Sequence, residues 1–156
     1  MQRPSTTAGF TLIEILLVIA IAGILLSIGT YWYNTARSNA IVSTTTDSIV
    51  SALEQARSNA ISGKNGASFG VKFNSDSYVT FMGSAYSTSS ASNSTTTIDS
   101  GATLTNTITD PNDAIVFTRL TGATNSTATV TVMEIANPAR KKNIVVESLG
   151  NIGVVQ

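Results

Sequence analysis

The feature that most constrains this sequence is an apolar run near its start. Residues 10–29 read FTLIEILLVIAIAGILLSIG, which is 20 residues with a single charge, that of Glu14. As an α-helix the run would be about 30 Å long, enough to cross the hydrocarbon core of a bilayer. A carboxylate in such a run is costly, so Glu14 is expected to have a function.

The order of residues around the run distinguishes it from a secretory signal peptide. Such a signal has a basic start, an apolar stretch of about 7–15 residues, and a small-residue cleavage site after that stretch. Here the leading segment MQRPSTTAG has Arg3 as its only basic side chain, and the small residue Gly9 comes before the apolar stretch. A plain uncleaved membrane anchor would explain the length of the run but not Glu14.

The segment Gly9-Phe10-Thr11-Leu12-Ile13-Glu14, followed by an apolar helix, resembles the processing motif of type IV pilins and type II secretion pseudopilins. The resemblance implies that a prepilin peptidase and methyltransferase cleaves after Gly9 and methylates the new N-terminus at Phe10. It also implies as partners other pilin or pseudopilin subunits, an inner-membrane assembly platform, and membrane lipid before assembly. The chain would be a single-pass protein of the cytoplasmic membrane, with its globular domain outside the cytoplasm, until it enters a filament.

Cleavage would supply Glu14 with a cationic partner. A buried carboxylate and a buried amine are each costly alone and much less so as a pair. We therefore expect Glu14 to neutralise the Phe10 amine of an adjacent subunit and to set the axial register between helices during assembly. The alternative is pairing within one chain, because positions i and i+4 share a helix face.

Beyond the run, apolar or small residues recur at helical spacing, with no glycine or proline before Gly63. They stand at Val42, Ile49, Leu53, Ala56 and Ala60. This spacing predicts one helix over 10–62 that buries the stripe against a downstream element. The hexapeptide ARSNAI occurs twice in this helix, and its arginines, Arg37 and Arg57, are predicted to be solvated.

The sequence thus divides into four parts. Residues 1–9 are a leader, and residues 10–33 are a transmembrane or filament-core helix. This helix ends on the aromatic residues Tyr31, Trp32 and Tyr33, which suit a membrane interface. Residues 34–63 are the amphipathic half of the helix, and residues 64–156 are a globular β domain.

The last part has the turn composition and alternation of short strands. Strands are predicted over 67–73, 78–82, 104–108, 114–120, 128–135, 143–147 and 152–155. Within the Ser/Thr-rich region 84–110, the stretch 84–97 has ten Ser or Thr among fourteen residues and is predicted to be a surface loop or a ragged edge. The predicted fold class is α+β, with a long N-terminal helix packed on antiparallel sheets as in pilins.

The helix end over 53–61 and the closing hairpin over 143–152 resemble H-type pseudopilins and FimT-like minor pilins. The resemblance implies a minor filament subunit; a major pilin and a tip-located minor pilin that binds DNA or surfaces are the alternatives. Some FimT-like pilins bind DNA through Gly-Arg-x-Arg in that hairpin, where this chain has Gly150-Asn151-Ile152-Gly153. The remaining basic cluster, Arg140, Lys141 and Lys142, is predicted to be a solvated turn with at most weak phosphate contact, so nucleic acid is not expected as a partner.

Composition argues against catalysis. The chain has 156 residues, nine acidic and nine basic, and no cysteine or histidine. Thiolate nucleophiles, disulfides and the commonest general base and metal ligand are therefore excluded. Asp110 and Asp113 surround a proline, as in a turn, and offer too few oxygens for calcium. We expect no catalytic residues, no metal and no cofactor.

Overall fold

The computed structural model describes residues 9–110, 112–124 and 127–155, with the backbone alone for residues 28–36. These residues form two compact units, 1–37 and 38–156. Most of the predicted leader, residues 1–8, lies outside the described residues. The side chains of the predicted aromatic belt, those of Tyr31, Trp32 and Tyr33, do so as well.

Helix α1 begins at Leu12 and ends at Ile61, so the helix predicted over 10–62 is confirmed to within two residues at each end. In the first unit, every described side chain from Leu12 to Ser27 is exposed. This segment is apolar on all of its faces, a pattern typical of a helix that partners or lipid surround. Within the described ranges, no helix combines the length and the apolar character needed to span a membrane.

In the second unit a 3₁₀ turn (Lys64–Gly66) and eight strands follow the helix. The strands are β1 (Phe69–Phe73), β2 (Ser77–Met82), β3 (Ser94–Thr97), β4 (Ala102–Thr107), β5 (Ala114–Phe117), β6 (Ala128–Glu134), β7 (Lys141–Val146) and β8 (Ile152–Val155). They form two four-stranded sheets, ordered β3-β2-β1-β5 and β4-β6-β7-β8. All neighbouring strands are antiparallel. The predicted α+β class is confirmed.

Strand β1 lies between its hairpin partner β2 and the later strand β5, and Gly70 permits this arrangement. Gly70 pairs with Phe81 on one side and with Val116 on the other. A Cβ atom at Gly70 would lie 2.5 Å from Cζ of Phe81 and 2.7 Å from the carbonyl oxygen of Ile115. Since real Cβ atoms do not approach other atoms so closely, only glycine fits here.

The core of the second unit lies between the amphipathic half of α1 and the two sheets. The predicted helical stripe is confirmed, because all five of its members are buried: Val42, Ile49, Leu53, Ala56 and Ala60. They belong to one cluster with apolar residues of both sheets, such as Val71, Phe117, Val130 and Ile144. Thr46, fully buried on the same helix, donates its hydroxyl proton to the carbonyl oxygen of Val42 at 2.7 Å and is thereby satisfied.

Strand β1 begins two residues later than predicted, β4 begins two residues earlier, and β5 ends three residues earlier. Two further differences concern β3 and β7. Strand β3 forms inside the Ser/Thr-rich stretch, where a loop or ragged edge was expected; it is an edge strand with all four residues exposed. Strand β7 begins at Lys141, two residues earlier than predicted, because Lys141 and Lys142 pair with Met133 and Val132 of β6. The basic cluster is therefore only partly a turn: Arg140 precedes the strand, and both lysines lie in it.

Candidate functional site

The residues of the predicted processing motif lie in an open segment ahead of helix α1. Gly9, Phe10 and Thr11 are non-helical and exposed, and the Phe10 side chain is 80% exposed. A Cβ atom at Gly9 would meet no described atom within 4 Å. Both residues that flank the predicted cleavage bond are thus exposed.

Thr11 precedes the first helical residue, Leu12, and caps the helix. Its Oγ1 accepts a hydrogen bond from the backbone N–H of Glu14 at 3.3 Å. Its carbonyl oxygen accepts from the N–H groups of Glu14 and Ile15 at 3.1 and 3.3 Å. Thr11 is therefore the N-cap, and Glu14 occupies the third helical position. Thr-x-x-Glu is the sequence pattern of a capping box, so the motif also defines where the helix starts.

The carboxylate of Glu14 forms no ion pair with any described residue, and Glu14 is exposed. In this unprocessed chain the nitrogen of Phe10 is a peptide nitrogen and carries no charge. Both pairings predicted for Glu14, within one chain and between subunits, belong to the processed protein and remain predictions.

The apolar segment next to the motif exposes a large surface. Leu12, Leu17 and Leu26 are 78%, 60% and 72% exposed. Exposed apolar surface of this extent marks a site that contacts a membrane or other protein chains. Ser27, the last described side chain of the segment, donates its hydroxyl proton to the carbonyl oxygen of Ile24 at 2.7 Å. This polar group is satisfied within the helix and does not interrupt the apolar surface.

The basic cluster lies against the helix within the second unit. Nζ of Lys142 donates to Oγ of Ser43 at 3.2 Å, while Lys141 is exposed. Arg140 forms an ion pair with Glu134 at 3.2 Å. The cluster lines a concavity of about 380 Å³ together with Asn39, Val42, Ser43 and Ala139. One of the three charges is thus neutralised locally, and the other two have no carboxylate partner among the described residues.

The end of the helix packs closely against the loops that contain Gly122 and Gly150. The prediction that Arg57 is solvated is therefore wrong in part. Arg57 is half-buried, and its Nε is buried without a hydrogen-bond partner among the described residues. Gly122 and Gly150 have φ values of 66° and 80° and lie against its side chain. A Cβ atom at Gly150 would overlap the carbonyl oxygen of Gly122 and lie 3.0 Å from Nε of Arg57.

Asp110 and Asp113 form a turn, as predicted. Oδ1 of Asp110 accepts from the N–H of Asn112 at 2.7 Å, and its carbonyl oxygen accepts from the N–H of Asp113 at 3.1 Å. Pro111 lies outside the described residues. Within the described part of the chain, no three His, Cys, Asp or Glu residues cluster as metal ligands would.

Two residues near these sites were missed by the sequence analysis. Thr11 belongs to the processing motif and was not predicted to be the helix cap, although the Thr-x-x-Glu spacing to Glu14 is visible in the sequence. Ser43 carries no sequence signal, because its contact with Lys142 joins residues 99 positions apart in the chain. No local pattern reports a contact of that range.

Comparison with known proteins agrees with the motif and with the fold. The family model for the type II transport protein GspH matches residues 45–150, and the model for the prokaryotic N-terminal methylation motif matches residues 5–30. No curated protein matches the sequence.

The solved structures that are similar to this chain include two at 14% sequence identity. The minor pseudopilin EpsH from the type 2 secretion system of Vibrio cholerae aligns with a TM-score of 0.56 over 74% of this chain and 96% of its own. The type IV minor pilin FimU of Pseudomonas aeruginosa aligns with a TM-score of 0.57 over 73% of this chain and 92% of its own. At this identity the similarity establishes the fold.

Proposed function

The chain belongs to the family of type II transport proteins described by GspH, and from that premise we propose that it is a minor subunit of a type II secretion pseudopilus or a related type IV pilus filament. Membership of this pilin and pseudopilin family implies assembly with other pilin-like subunits and processing by a prepilin peptidase. The minor role is favoured because EpsH and FimU, the two solved structures above, are both described as minor subunits.

One observation carries the proposal: an open Gly9–Phe10 peptide bond directly precedes a helix that is apolar and exposed on every face from Leu12 to Ser27. A monomer in water would not keep such a surface exposed. We propose that residues 10–33 lie in the cytoplasmic membrane before assembly, with the β domain outside the cytoplasm. After cleavage the same helix packs with those of its neighbours in the filament core.

Glu14 has the assembly role in this scheme. Processing at Gly9 creates an amine at Phe10, and the Glu14 carboxylate lies within the first helical turn, near the end of the apolar segment. In a filament core both charges would be desolvated, and pairing them removes most of that cost. The pairing between subunits fixes the axial offset of adjacent helices; the pairing within one chain would neutralise the charge without fixing any offset.

The experiment compares Glu14→Ala with Glu54→Ala in cells that carry the assembly machinery. Glu54 is an exposed acid on the same helix, outside the motif, and serves as the matched control. We expect both variants to be cleaved, and only Glu14→Ala to be absent from sheared filaments. Normal incorporation of Glu14→Ala would refute the assembly role of the carboxylate.

The alternatives have their own tests. A subunit abundant along the filament would be a major pilin, whereas a trace subunit at the tip would support the minor role. A tip subunit that binds DNA would shift a duplex in a gel at low salt. Such binding would depend on Lys141 and Lys142, because Arg140 is paired with Glu134 and both hairpin arginines of the DNA-binding pattern are absent.

A further inference from the structure

The turn between β6 and β7 combines exposed apolar residues with uncompensated charge. Residues 135–139 read Ile-Ala-Asn-Pro-Ala, and all five are exposed. The largest apolar side chain among them, that of Ile135, is 58% exposed. Arg140, Lys141 and Lys142 follow, and the segment 135–142 contains no acid. Apolar side chains beside cationic ones are typical of a surface that lies in the headgroup region of a bilayer.

Hydrogen bonds hold the conformation of the turn. The N–H of Arg140 donates to the carbonyl oxygen of Asn137 at 2.9 Å, and the N–H of Ala139 donates to Oδ1 of Asn137 at 3.2 Å. The N–H of Ile135 donates to the carbonyl oxygen of Gly101 at 2.9 Å. The apolar tip and the lysines are therefore presented together, so little conformational entropy would be lost on docking.

The turn lies beside the part of the helix that closely follows the proposed membrane segment in the chain. Lys142 is bonded to Ser43, and the concavity beside the cluster includes Asn39. Asn39 follows Tyr33, the last residue of the proposed membrane segment, by six residues. Six residues span about 9 Å in a helix and at most about 20 Å fully extended. Covalent connection alone therefore holds this part of the second unit close to the headgroups of a bilayer in which residues 10–33 are inserted.

The local charge balance fits an anionic surface. Glu134 is occupied by Arg140, and the next acid on the helix, Asp47, follows Ser43 by one turn. Lys141 and Lys142 have no carboxylate partner among the described residues. We infer that the β6–β7 turn, residues 135–142, docks on anionic lipid headgroups before assembly and so holds the β domain against the membrane. This inference rests on the proposed membrane insertion of residues 10–33.

The test uses the full chain in vesicles of phosphatidylcholine with or without phosphatidylglycerol. The protein has no cysteine, so Ala139→Cys and Ser62→Cys each give one site for an environment-sensitive fluorophore. Ser62 is exposed and follows Ser43 by 19 residues along the helix side of the domain, about 28 Å at helical rise. We expect the label at position 139 to be protected from the aqueous quencher acrylamide only when phosphatidylglycerol is present, and the label at position 62 to stay accessible in both vesicles.

Charge variants identify the groups responsible. Each lysine near an anionic surface changes the docked-to-undocked ratio about fivefold, so Lys141→Gln together with Lys142→Gln should lower it about 30-fold. Lys141→Gln alone removes the charge of an exposed side chain that forms no ion pair with a described residue, and it should lower the ratio about fivefold. Lys64→Gln, an exposed lysine at the far end of the helix, is the matched control and should change nothing.

The outcomes separate this inference from the proposed function. Protein washed off both vesicles at alkaline pH would refute membrane insertion, and the docking with it. Protein that stays inserted, with the label at position 139 equally quenched in both vesicles, would refute the docking alone. Protection that survives the loss of both lysines would also refute it. Protection produced by duplex DNA and not by phosphatidylglycerol would assign the turn to nucleic acid instead.

Discussion

Gly150 provides the sharpest test of how the closing hairpin packs on the helix. Gly150 has a φ of 80°, and a Cβ atom there would overlap the carbonyl oxygen of Gly122. For a residue with a Cβ atom, the left-handed conformation costs about 1–2 kcal/mol. Forcing a backbone carbonyl away in a packed region adds about 1–3 kcal/mol. We therefore expect Gly150→Ala to lower the free energy of unfolding by about 3 kcal/mol, taking values within both ranges.

The matched control lies three residues further on. Gly153 is in β8, and a Cβ atom at Gly153 would meet no described atom within 4 Å. Gly153→Ala should change the stability by less than about 0.5 kcal/mol. Scanning calorimetry of the full chain in detergent micelles would compare the two. We expect the melting temperature to fall by about 10 °C for Gly150→Ala and to be nearly unchanged for Gly153→Ala. Equal melting temperatures would refute the close contact of the hairpin with the Gly122 loop.

Two further substitutions test the helix. Leu53→Ala removes a fully buried side chain and should lower the free energy of unfolding by about 2–5 kcal/mol. The control Leu149→Ala, at a 70% exposed position, should lower it little. Similar denaturation midpoints for the two variants would contradict the burial of the helical stripe. Thr11→Val removes the N-cap oxygen and should speed hydrogen exchange at the Glu14 and Ile15 amides about fivefold, for a cap worth about 1 kcal/mol. Thr44→Val, at an exposed mid-helix position, should leave those amides unchanged, and unchanged exchange in Thr11→Val as well would show that Thr11 does not cap the helix.

The helix was predictable because its signals are local. The spacing from Val42 to Ala60 fixes which face is buried, and Gly63 marks the end, where φ is 64°. The hairpin of β1 and β2 was predictable for the same reason, since the turn composition at residues 74–77 is visible in the sequence.

What could not be predicted depends on contacts between distant segments. Strand β3 has no apolar alternation and is a strand only because Thr96 pairs with Tyr78 of β2. The loop before β3 also depends on distant residues: Tyr86 packs edge-on against Phe81 at 5.5 Å, with Nζ of Lys72 5.2 Å from its ring centre. The return of β5 to β1 requires the close approach at Gly70, which no single-segment pattern reveals.

For the basic cluster, too, the local features were predictable and the long-range contacts were not. Its composition was visible in the sequence, and so was the absence of arginines in the closing hairpin. The neutralisation of Arg140 was not visible in the sequence. Its ion pair with Glu134 forms across the β6–β7 connection, which the sequence indicates only as a turn. The contact of Lys142 with Ser43, which locates the cluster along the helix, was likewise not predictable.

The central claim is that this chain is a processed filament subunit, and the N-terminus of the mature protein tests it most directly. The measurement is the intact mass and the N-terminal sequence of the protein recovered from its native membrane. A chain that starts at Phe10 with one added methyl group is the predicted result. A chain that still starts at Met1, in cells with an active prepilin peptidase, would contradict the account, because Glu14 would then have no N-terminal amine to pair with.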